Sequence, residues 1–183
     1  MTTTSWDQYG LITYIAQRQT QRQFPLGKTK LQKLVYLMQD LHRLPTDYRF
    51  HFYTYGPFCS GLSGDASYLD AVGGLRIQYV GGGNMFELSP GANADFFSAK
   101  AAPFLADHAD AIDPILDRFG SKTAREMELI ATLVYVMHYD PKYSPGDRVF
   151  LIAKVKELKP KFSEPEVNGA LDELAGYGYL GAA

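Results

Sequence analysis

Apolar residues recur with helical spacing in several segments of the chain, most clearly between residues 31 and 41. There they fall at i, i+3, i+4, i+7 and i+10, as Leu31, Leu34, Val35, Met38 and Leu41. This spacing places them on one face of a helix, which we predict over about residues 28–42 with that face buried. A second strong pattern of the same kind predicts a helix over about residues 124–139.

Weaker patterns and helix-start signals predict the remaining helices. Ser5 can act as the N-cap of a first helix, and Ser163 with Glu166 has the spacing of a capping box at the start of the last one. The other predicted helices cover about residues 58–72, 92–111 with a break at Pro103, and a short segment restarted by Asp113-Pro114 and stopped by Gly120.

Two regions have the character of strands. Residues 48–55 are rich in aromatic side chains and are predicted as one short strand that Gly56-Pro57 ends before a helix. Residues 75–80 and 84–88 alternate on either side of Gly81-Gly82-Gly83, and glycine reaches the positive φ angles of tight turns. We therefore predict a β-hairpin there.

The order of these elements predicts a mainly α fold with a small β-hairpin, in the α+β class. Over residues 1–90 the order of helices followed by a hairpin is typical of a winged-helix-like unit. Residues 91–183 are predicted to form a helical region packed on that unit. Because Gly176–Leu180 echoes Gly73-Gly74-Leu75, we expect this second region to be a degenerate helical repeat of the first half.

Composition narrows the class of protein. Hydrophobic residues make up 46% of the 183 positions, enough for a buried core, and the formal net charge of -2 lacks the positive excess of general nucleic-acid binders. Cys59 is the single cysteine, and neither a basic, apolar leader nor an apolar run of roughly 20 residues is present. The sequence predicts a cytoplasmic protein that does not enter the membrane.

Two short motifs suggest a phosphate-binding loop and a reactive cysteine, but each is better explained as a structural feature. Gly27-Lys28-Thr29 is similar to the end of a phosphate-binding loop, but Arg22 stands where the loop needs its first glycine. A helix N-terminus with solvated lysines is the preferred interpretation. Cys59 follows a turn at a predicted helix start, but no base is shown to face it, His51 being merely the nearest histidine in sequence. A half-buried structural cysteine is therefore favoured.

The remaining ionisable residues form no recognisable catalytic or metal-binding pattern. The four histidines, His42, His51, His108 and His138, are dispersed, with no spacing that gathers metal ligands on one element. The aspartates have the positions of helix caps and exposed helix faces. We expect no catalytic residues, no metal and no cofactor.

DNA binding is the usual function of a winged helix and is the alternative hypothesis. The predicted recognition helix, residues 58–72, contains Asp65 and Asp70 but no lysine or arginine, so phosphates would repel it. The predicted wing offers only Arg76. On this alternative the nucleic-acid contacts would be Lys28, Lys30, Lys33 and Arg76.

The segment Lys30-Leu31-Gln32-Lys33-Leu34-Val35-Tyr36-Leu37 and the later Tyr53-Thr54-Tyr55-Gly56-Pro57-Phe58 carry a family resemblance. Together with the helix and hairpin that follow, they resemble the YwgA-like and Panacea group of bacterial proteins over about residues 5–90. A weaker likeness extends through residues 128–133 and 158–163. The candidate motif and interaction residues are Lys30, Lys33, Tyr36, Tyr53, Tyr55, Gly56, Pro57 and Phe58.

The resemblance implies a role in binding proteins. Panacea domains are associated with antitoxins that neutralise varied toxins, and one relative acts as a protease adaptor. The leading hypothesis is therefore a non-enzymatic protein-interaction module, antitoxin-like or part of a bacterial defence or stress locus, whose partner is a cognate toxin or another protein of that locus. A winged-helix DNA-binding transcriptional regulator is the alternative, and an unrecognised enzyme comes third.

Overall fold

A computed structural model describes residues 3–81 and 85–180, and it confirms a mainly α chain of the α+β class with small antiparallel hairpins. No helix in these residues is both long and apolar enough to cross a membrane. The helices are α1 (Ser5–Gln21), α2 (Lys28–His42), α3 (Ser60–Ala71), α4 (Ala94–Lys100), α5 (Ala102–Asp107), α6 (Ala109–Phe119), α7 (Ala124–Tyr139), α8 (Arg148–Leu158) and α9 (Glu164–Gly176). The strands are β1 (His51–Tyr53), β2 (Gly56–Phe58), β3 (Leu75–Tyr79) and β4 (Phe86–Pro90).

Helix α2 has the predicted bounds and lies at the centre of the packing. It contacts α3, α6, α7, β2 and β4, and residues 30–38 are all buried. Of the predicted apolar face, Leu31, Leu34, Val35 and Met38 are buried and Leu41 is half-buried. One hydrophobic core runs from α1 through α2 and α7 to α9. The division of the chain near residue 90, and the repeat, stay predictions.

The N-cap of the first helix is one residue earlier than predicted. Thr4, not Ser5, is the N-cap: its hydroxyl accepts from the Asp7 N–H, and the Asp7 carboxylate accepts from the Thr4 N–H. Asp7 stands three positions after Thr4 and completes the reciprocal pair, whereas Gln8, three positions after Ser5, donates its side-chain amide to the Thr46 carbonyl. The capping box predicted at Ser163 and Glu166 is confirmed at the start of α9.

The region around Gly56 differs from the prediction of one long strand followed directly by a helix. Only His51–Tyr53 is a strand there, and Gly56–Phe58 forms a second strand antiparallel to it, with Phe52 opposite Pro57. Proline has no N–H to donate, but each strand of a two-stranded sheet is an edge, where proline is tolerated. Helix α3 then starts at Ser60, with Cys59 as its N-cap.

The predicted hairpin over residues 75–88 is confirmed as β3 and β4, with Leu75 opposite Pro90 and Tyr79 opposite Phe86. The predicted glycine turn lies partly outside the described residues, at 82–84. Strand β4 is tied to the loop before α2, because the Leu88 N–H donates to the Leu26 carbonyl at 2.8 Å. Whether the first half is a winged helix in detail stays a prediction.

The C-terminal half differs from the prediction in three places. The helix predicted over residues 92–111 with a break at Pro103 is interrupted instead at Ala101 and at His108, between α4, α5 and α6. Pro114 does not restart a helix but lies inside α6, where its missing N–H leaves the Asp110 carbonyl without its helical partner. Residues 148–158, to which the sequence analysis assigned no element, form α8, where Leu151 and Val155 are the buried positions.

The buried face of α2 should dominate stability. Leu34 is fully buried, so Leu34→Ala removes apolar contacts and leaves a cavity, and we expect the free energy of unfolding to fall by about 2–5 kcal/mol. Val149 is 79% exposed, and Val149→Ala is the matched control, with an expected change below about 0.5 kcal/mol. Urea denaturation measures both, and an unchanged midpoint for Leu34→Ala would contradict the packing described.

Candidate functional site

A groove of about 240 Å³ lies between α2, α3 and the β1–β2 hairpin, and half of the residues of the two main family-like motifs line it. Its walls are largely apolar, with Leu31, Leu62 and Ala66 at the base. Of the candidate residues, five line it: Lys33, Tyr53, Tyr55, Gly56 and Phe58. We call it the α2–α3 groove.

The hairpin is held from the α2 side by two buried polar residues. The side-chain amide of Gln32 donates to the Cys59 carbonyl at 3.0 Å and accepts from the Cys59 N–H at 2.9 Å. Lys33 is fully buried, and its Nζ donates to the Pro57 carbonyl at 2.6 Å. These bonds satisfy backbone groups that a two-stranded sheet leaves unpaired, so α2 fixes where β2 runs.

The hairpin is held from the opposite side by a residue of the loop between α8 and α9. The Nζ of Lys159 donates to the Thr54 carbonyl at the hairpin turn, and it lies 3.1 Å from Oε1 of Glu128 on α7. Lys161 donates to the other oxygen of Glu128 at 2.7 Å. A buried carboxylate is thus compensated by two ammonium groups, although Oε1 receives no hydrogen bond of good geometry.

A second groove runs along this opposite side of the hairpin. It shares the hairpin-turn residues Tyr53 and Tyr55 with the first groove, and we call it the α8–α9 groove. Its other lining residues are Phe52, Thr54, Glu128, Leu158, Lys159, Pro160 and Lys161.

The hairpin presents three aromatic side chains to solvent. Tyr53 is 68% exposed, Tyr55 59% and Phe58 37%, and the rings of Tyr53 and Phe58 lie 6.1 Å apart. Phe52, which points the other way, packs on Tyr135 of α7 at 4.9 Å between ring centroids. Strand alternation therefore uses one aromatic to anchor the hairpin and leaves its neighbours free for contact.

Burial changes the acidity of the two lysines of the α2 motif. Desolvation lowers the pKa of Lys33 to about 8, against a smaller opposing effect of Glu128, while Lys159 lowers it further. Desolvation likewise lowers the pKa of Lys30 to about 8, with Glu126 acting in the opposite direction. The neutral form of both amines is therefore well populated near pH 8.

The prediction of solvated lysines at this helix start was wrong for Lys30 and Lys33. Lys30 is buried and donates to the Pro25 carbonyl at 2.9 Å, because α2 is packed on all sides. Of the four residues suggested for nucleic-acid contact, Lys28 and Arg76 are exposed. Lys30 and Lys33 are buried and donate to backbone carbonyls instead.

Tyr36 lies away from the groove, in a cluster that the sequence analysis missed. Its hydroxyl donates to Asp40 at 3.0 Å, and the same carboxylate receives Tyr139 at 2.9 Å and the Nδ1 of His138. Burial raises the pKa of Tyr36, and Asp40 adds to this effect. The cluster joins α2 to α7, and it stabilises the end of α2 remote from the hairpin.

The two aspartates of α3 have structural partners. Asp65 accepts from the Tyr48 hydroxyl at 2.7 Å, and Asp70 accepts from the Ile77 N–H of β3 at 2.7 Å. Cys59 lies at the N-cap of α3 and is buried, not half-buried as predicted. In the part of the chain that the structure describes, no three His, Cys, Asp or Glu side chains gather as metal ligands.

Glu128, Lys159 and Gln32 were not selected from the sequence, yet they position the hairpin. Glu128 and Lys159 fall within the two segments of weaker family likeness, and Gln32 lies inside the α2 motif. The family likeness was the sequence signal that could have identified these three residues. Spacing could not reveal these residues, because they are brought together from α2, α7 and the α8–α9 loop.

Comparison of the sequence with protein-family models and with curated proteins found no match.

Substitution of Gly56, the one glycine of the β1–β2 hairpin, should destabilise the fold. It has φ of +83°, and a Cβ there would lie 3.2 Å from the Thr132 hydroxyl. Gly146 has the same φ with open space around it, so Gly146→Ala is a matched control for backbone strain alone. We expect Gly146→Ala to cost about 1–2 kcal/mol and Gly56→Ala to cost more in urea denaturation. Equal costs would show that Thr132 yields without penalty.

The buried amine of Lys33 predicts a pH dependence of stability. Because its pKa is lowered to about 8, the unfolded chain binds more protons at this residue than the folded chain between about pH 8 and 10.5. Stability at this position therefore rises with pH across that window. We expect the urea midpoint of the wild type to rise relative to that of Lys33→Met between about pH 7.5 and 9.5. A constant difference between the two proteins would contradict the lowered pKa.

Proposed function

We propose that this chain is a non-enzymatic, cytoplasmic protein-interaction module, antitoxin-like or part of a bacterial defence or stress locus. One observation carries the proposal: three exposed aromatic residues, Tyr53, Tyr55 and Phe58, stand on a clamped hairpin beside an apolar groove. Exposed tyrosine and phenylalanine next to a concave apolar surface are typical of interface centres.

The rigidity of the hairpin supports this use. Its backbone is bound by buried side chains at three points, Thr54, Pro57 and Cys59, from two sides of the molecule. Binding loses affinity when loops and side chains must be ordered on association. A hairpin already fixed in place avoids most of that cost, so its aromatic groups are suited to recognition.

The composition of the groove supports binding rather than acid–base catalysis. Its described lining residues include lysines, hydroxyl groups and a glutamine, but no histidine or carboxylate. General acid–base catalysis at neutral pH most often uses histidine or a carboxylate, and Lys33, whose lowered pKa would also suit it, donates its Nζ to the Pro57 carbonyl. We infer no cofactor and no catalytic residue for this groove.

The resemblance to the YwgA-like and Panacea group points in the same direction. Part of each motif lines the groove, including Lys33, Tyr55 and Phe58, so the family-like motifs and the proposed binding surface overlap. By that resemblance the partner is a protein, either a cognate toxin or another product of the same locus.

A winged-helix DNA-binding regulator remains the second candidate because Lys28 and Arg76 are exposed. It is less well supported, since α3 exposes no lysine or arginine and Asp70 accepts a hydrogen bond from the wing backbone. Two exposed cations are few for a duplex interface, whose affinity comes largely from phosphate contacts.

The two hairpins offer a matched test. Each carries an exposed Tyr–Phe pair: Tyr53 with Phe58 at 6.1 Å, and Tyr79 with Phe86 at 5.7 Å between ring centroids. We expect affinity capture from native lysate to yield a stoichiometric protein partner with the wild type. Replacing both Tyr53 and Phe58 by alanine should abolish capture, while Tyr79→Ala, at a residue 59% exposed on the other hairpin, should not. Phe86 stays in place in this control because the Lys28 Nζ lies 4.0 Å over its ring.

Two outcomes would count against this proposal. Undiminished capture by the Tyr53 and Phe58 variant would remove the hairpin from the interface. A duplex DNA complex in the nanomolar range, lost on Arg76→Gln or Lys28→Gln, would favour the regulator, because non-specific binding alone reaches only about 10⁻⁴ to 10⁻⁶ M.

A further inference from the structure

The two grooves flanking the β1–β2 hairpin have a charge opposite to that of the whole chain. The chain has a formal net charge of -2. The α2–α3 groove is lined by Lys28 and Lys33 with no carboxylate, and the α8–α9 groove by Lys159 and Lys161 with Glu128 alone. Lysines therefore outnumber carboxylates around the hairpin.

Not all of this positive charge is available to a ligand. Lys33 and Lys159 are buried and donate to hairpin carbonyls, and the carboxylate of Glu128 is buried and bridged by Lys159 and Lys161. The exposed cationic groups are Lys28 of the α2–α3 groove, whose Nζ lies 4.0 Å over the Phe86 ring, and Lys161 of the α8–α9 groove, whose side chain is 43% exposed and whose Nζ lies 5.5 Å over the Tyr55 ring. The β1–β2 hairpin lies between the two grooves.

The α2–α3 groove sets the size of the apolar group that can enter. Its volume of about 240 Å³ is smaller than the roughly 300–1,000 Å³ of pockets that enclose drug-sized ligands. It suits a single apolar side chain projecting from a longer chain. The surface thus combines one apolar recess, exposed rings and an exposed cation in each groove.

On these grounds we propose that the hairpin binds an acidic segment of the partner protein, with one apolar side chain in the α2–α3 groove and carboxylates paired with Lys28 and Lys161. This inference rests on the proposed function and adds the chemistry of the partner. Opposite charge at the rim of an interface favours the correct partner and speeds association more than it raises affinity.

Single-stranded nucleic acid also binds surfaces of aromatic residues and cations. Such binding needs a groove of several exposed cations that follows the phosphate backbone, whereas here Lys33 and Lys159 are committed to backbone carbonyls. An acidic peptide needs only the two exposed cations and the recess. It is the better match, and an oligonucleotide serves as a competing probe.

The test uses the full chain and fluorescein-labelled synthetic peptides with one tryptophan flanked by glutamates, glutamines or lysines. We expect fluorescence polarisation to show tighter binding of the glutamate peptide than of the glutamine peptide, by about 3- to 10-fold at low salt. The lysine peptide should bind most weakly. Added salt should reduce the difference, because exposed ion pairs are screened.

Matched variants separate charge from the apolar anchor. Lys28→Gln combined with Lys161→Gln should lose the preference for glutamate and keep binding of the glutamine peptide, while the exposed Lys142→Gln should behave as the wild type. Because Lys161 also bonds Glu128, Lys28→Gln alone is a second variant that leaves that pair intact and should lose part of the preference. Alanine at Tyr53 and Phe58 should weaken binding of every peptide.

Failure of this inference is distinguishable from failure of the proposed function. If partner capture requires Tyr53 and Phe58 but glutamate and glutamine peptides bind equally, the partner is a protein and its segment is not acidic. No binding of any peptide up to about 1 mM would exclude a linear segment, since that affinity is only about 4 kcal/mol. A single-stranded oligonucleotide that binds more tightly than the glutamate peptide, and is lost in the same variants, would replace the acidic peptide as ligand.

Discussion

Helix α2 is buried over nine consecutive residues, 30–38, and this burial governs much of the structure around it. A surface helix turns its polar residues to water, but this one has no such face. Lys30, Gln32, Lys33 and Tyr36 must therefore find partners inside the protein, because an unpaired buried polar group costs about 1–3 kcal/mol and an unpaired charge costs more. Each of them has one, and those partners are backbone carbonyls or Asp40.

The same buried polar groups fix the position of the β1–β2 hairpin. Gln32 and Lys33 hold the second strand of the β1–β2 hairpin, while Lys159 holds its turn from the opposite side. The hairpin is too short for its own ladder to stabilise it, since isolated two-stranded hairpins are marginal in water. Its conformation depends on the two halves of the chain being packed together, so the surface exists only in the folded whole.

The sequence predicted those parts whose signals are local. The bounds of α2 and α7 followed from apolar periodicity, the start of α9 from its capping box, and the β3–β4 hairpin from alternation around glycines. The β1–β2 hairpin was missed because its strands have three residues each, too few for alternation, and because Gly56-Pro57 is a typical helix or turn signal. Pro114 was misread because proline is typical of a helix start, whereas here α6 continues through it with Ile112 and Ile115 buried on either side.

The part of the candidate site that is local in sequence was also predictable. Tyr53, Tyr55, Gly56 and Phe58 were selected correctly as neighbours, since they are adjacent in sequence. That Lys33 is buried under them, and that Glu128 and Lys159 join from distant segments, depends on tertiary packing that no spacing records. The burial of Lys30 and Lys33 also reverses the usual expectation that lysines at a helix start face water.

Different residues fix the backbone of the β1–β2 hairpin and form its exposed surface. The residues that hold its backbone are buried and act through main-chain groups, so they impose no constraint on which side chains stand at positions 53, 55 and 58. Those three side chains are exposed. On the proposed function, substitutions at these positions would change the partner that the hairpin accepts without requiring compensating changes in the buried residues that hold its backbone.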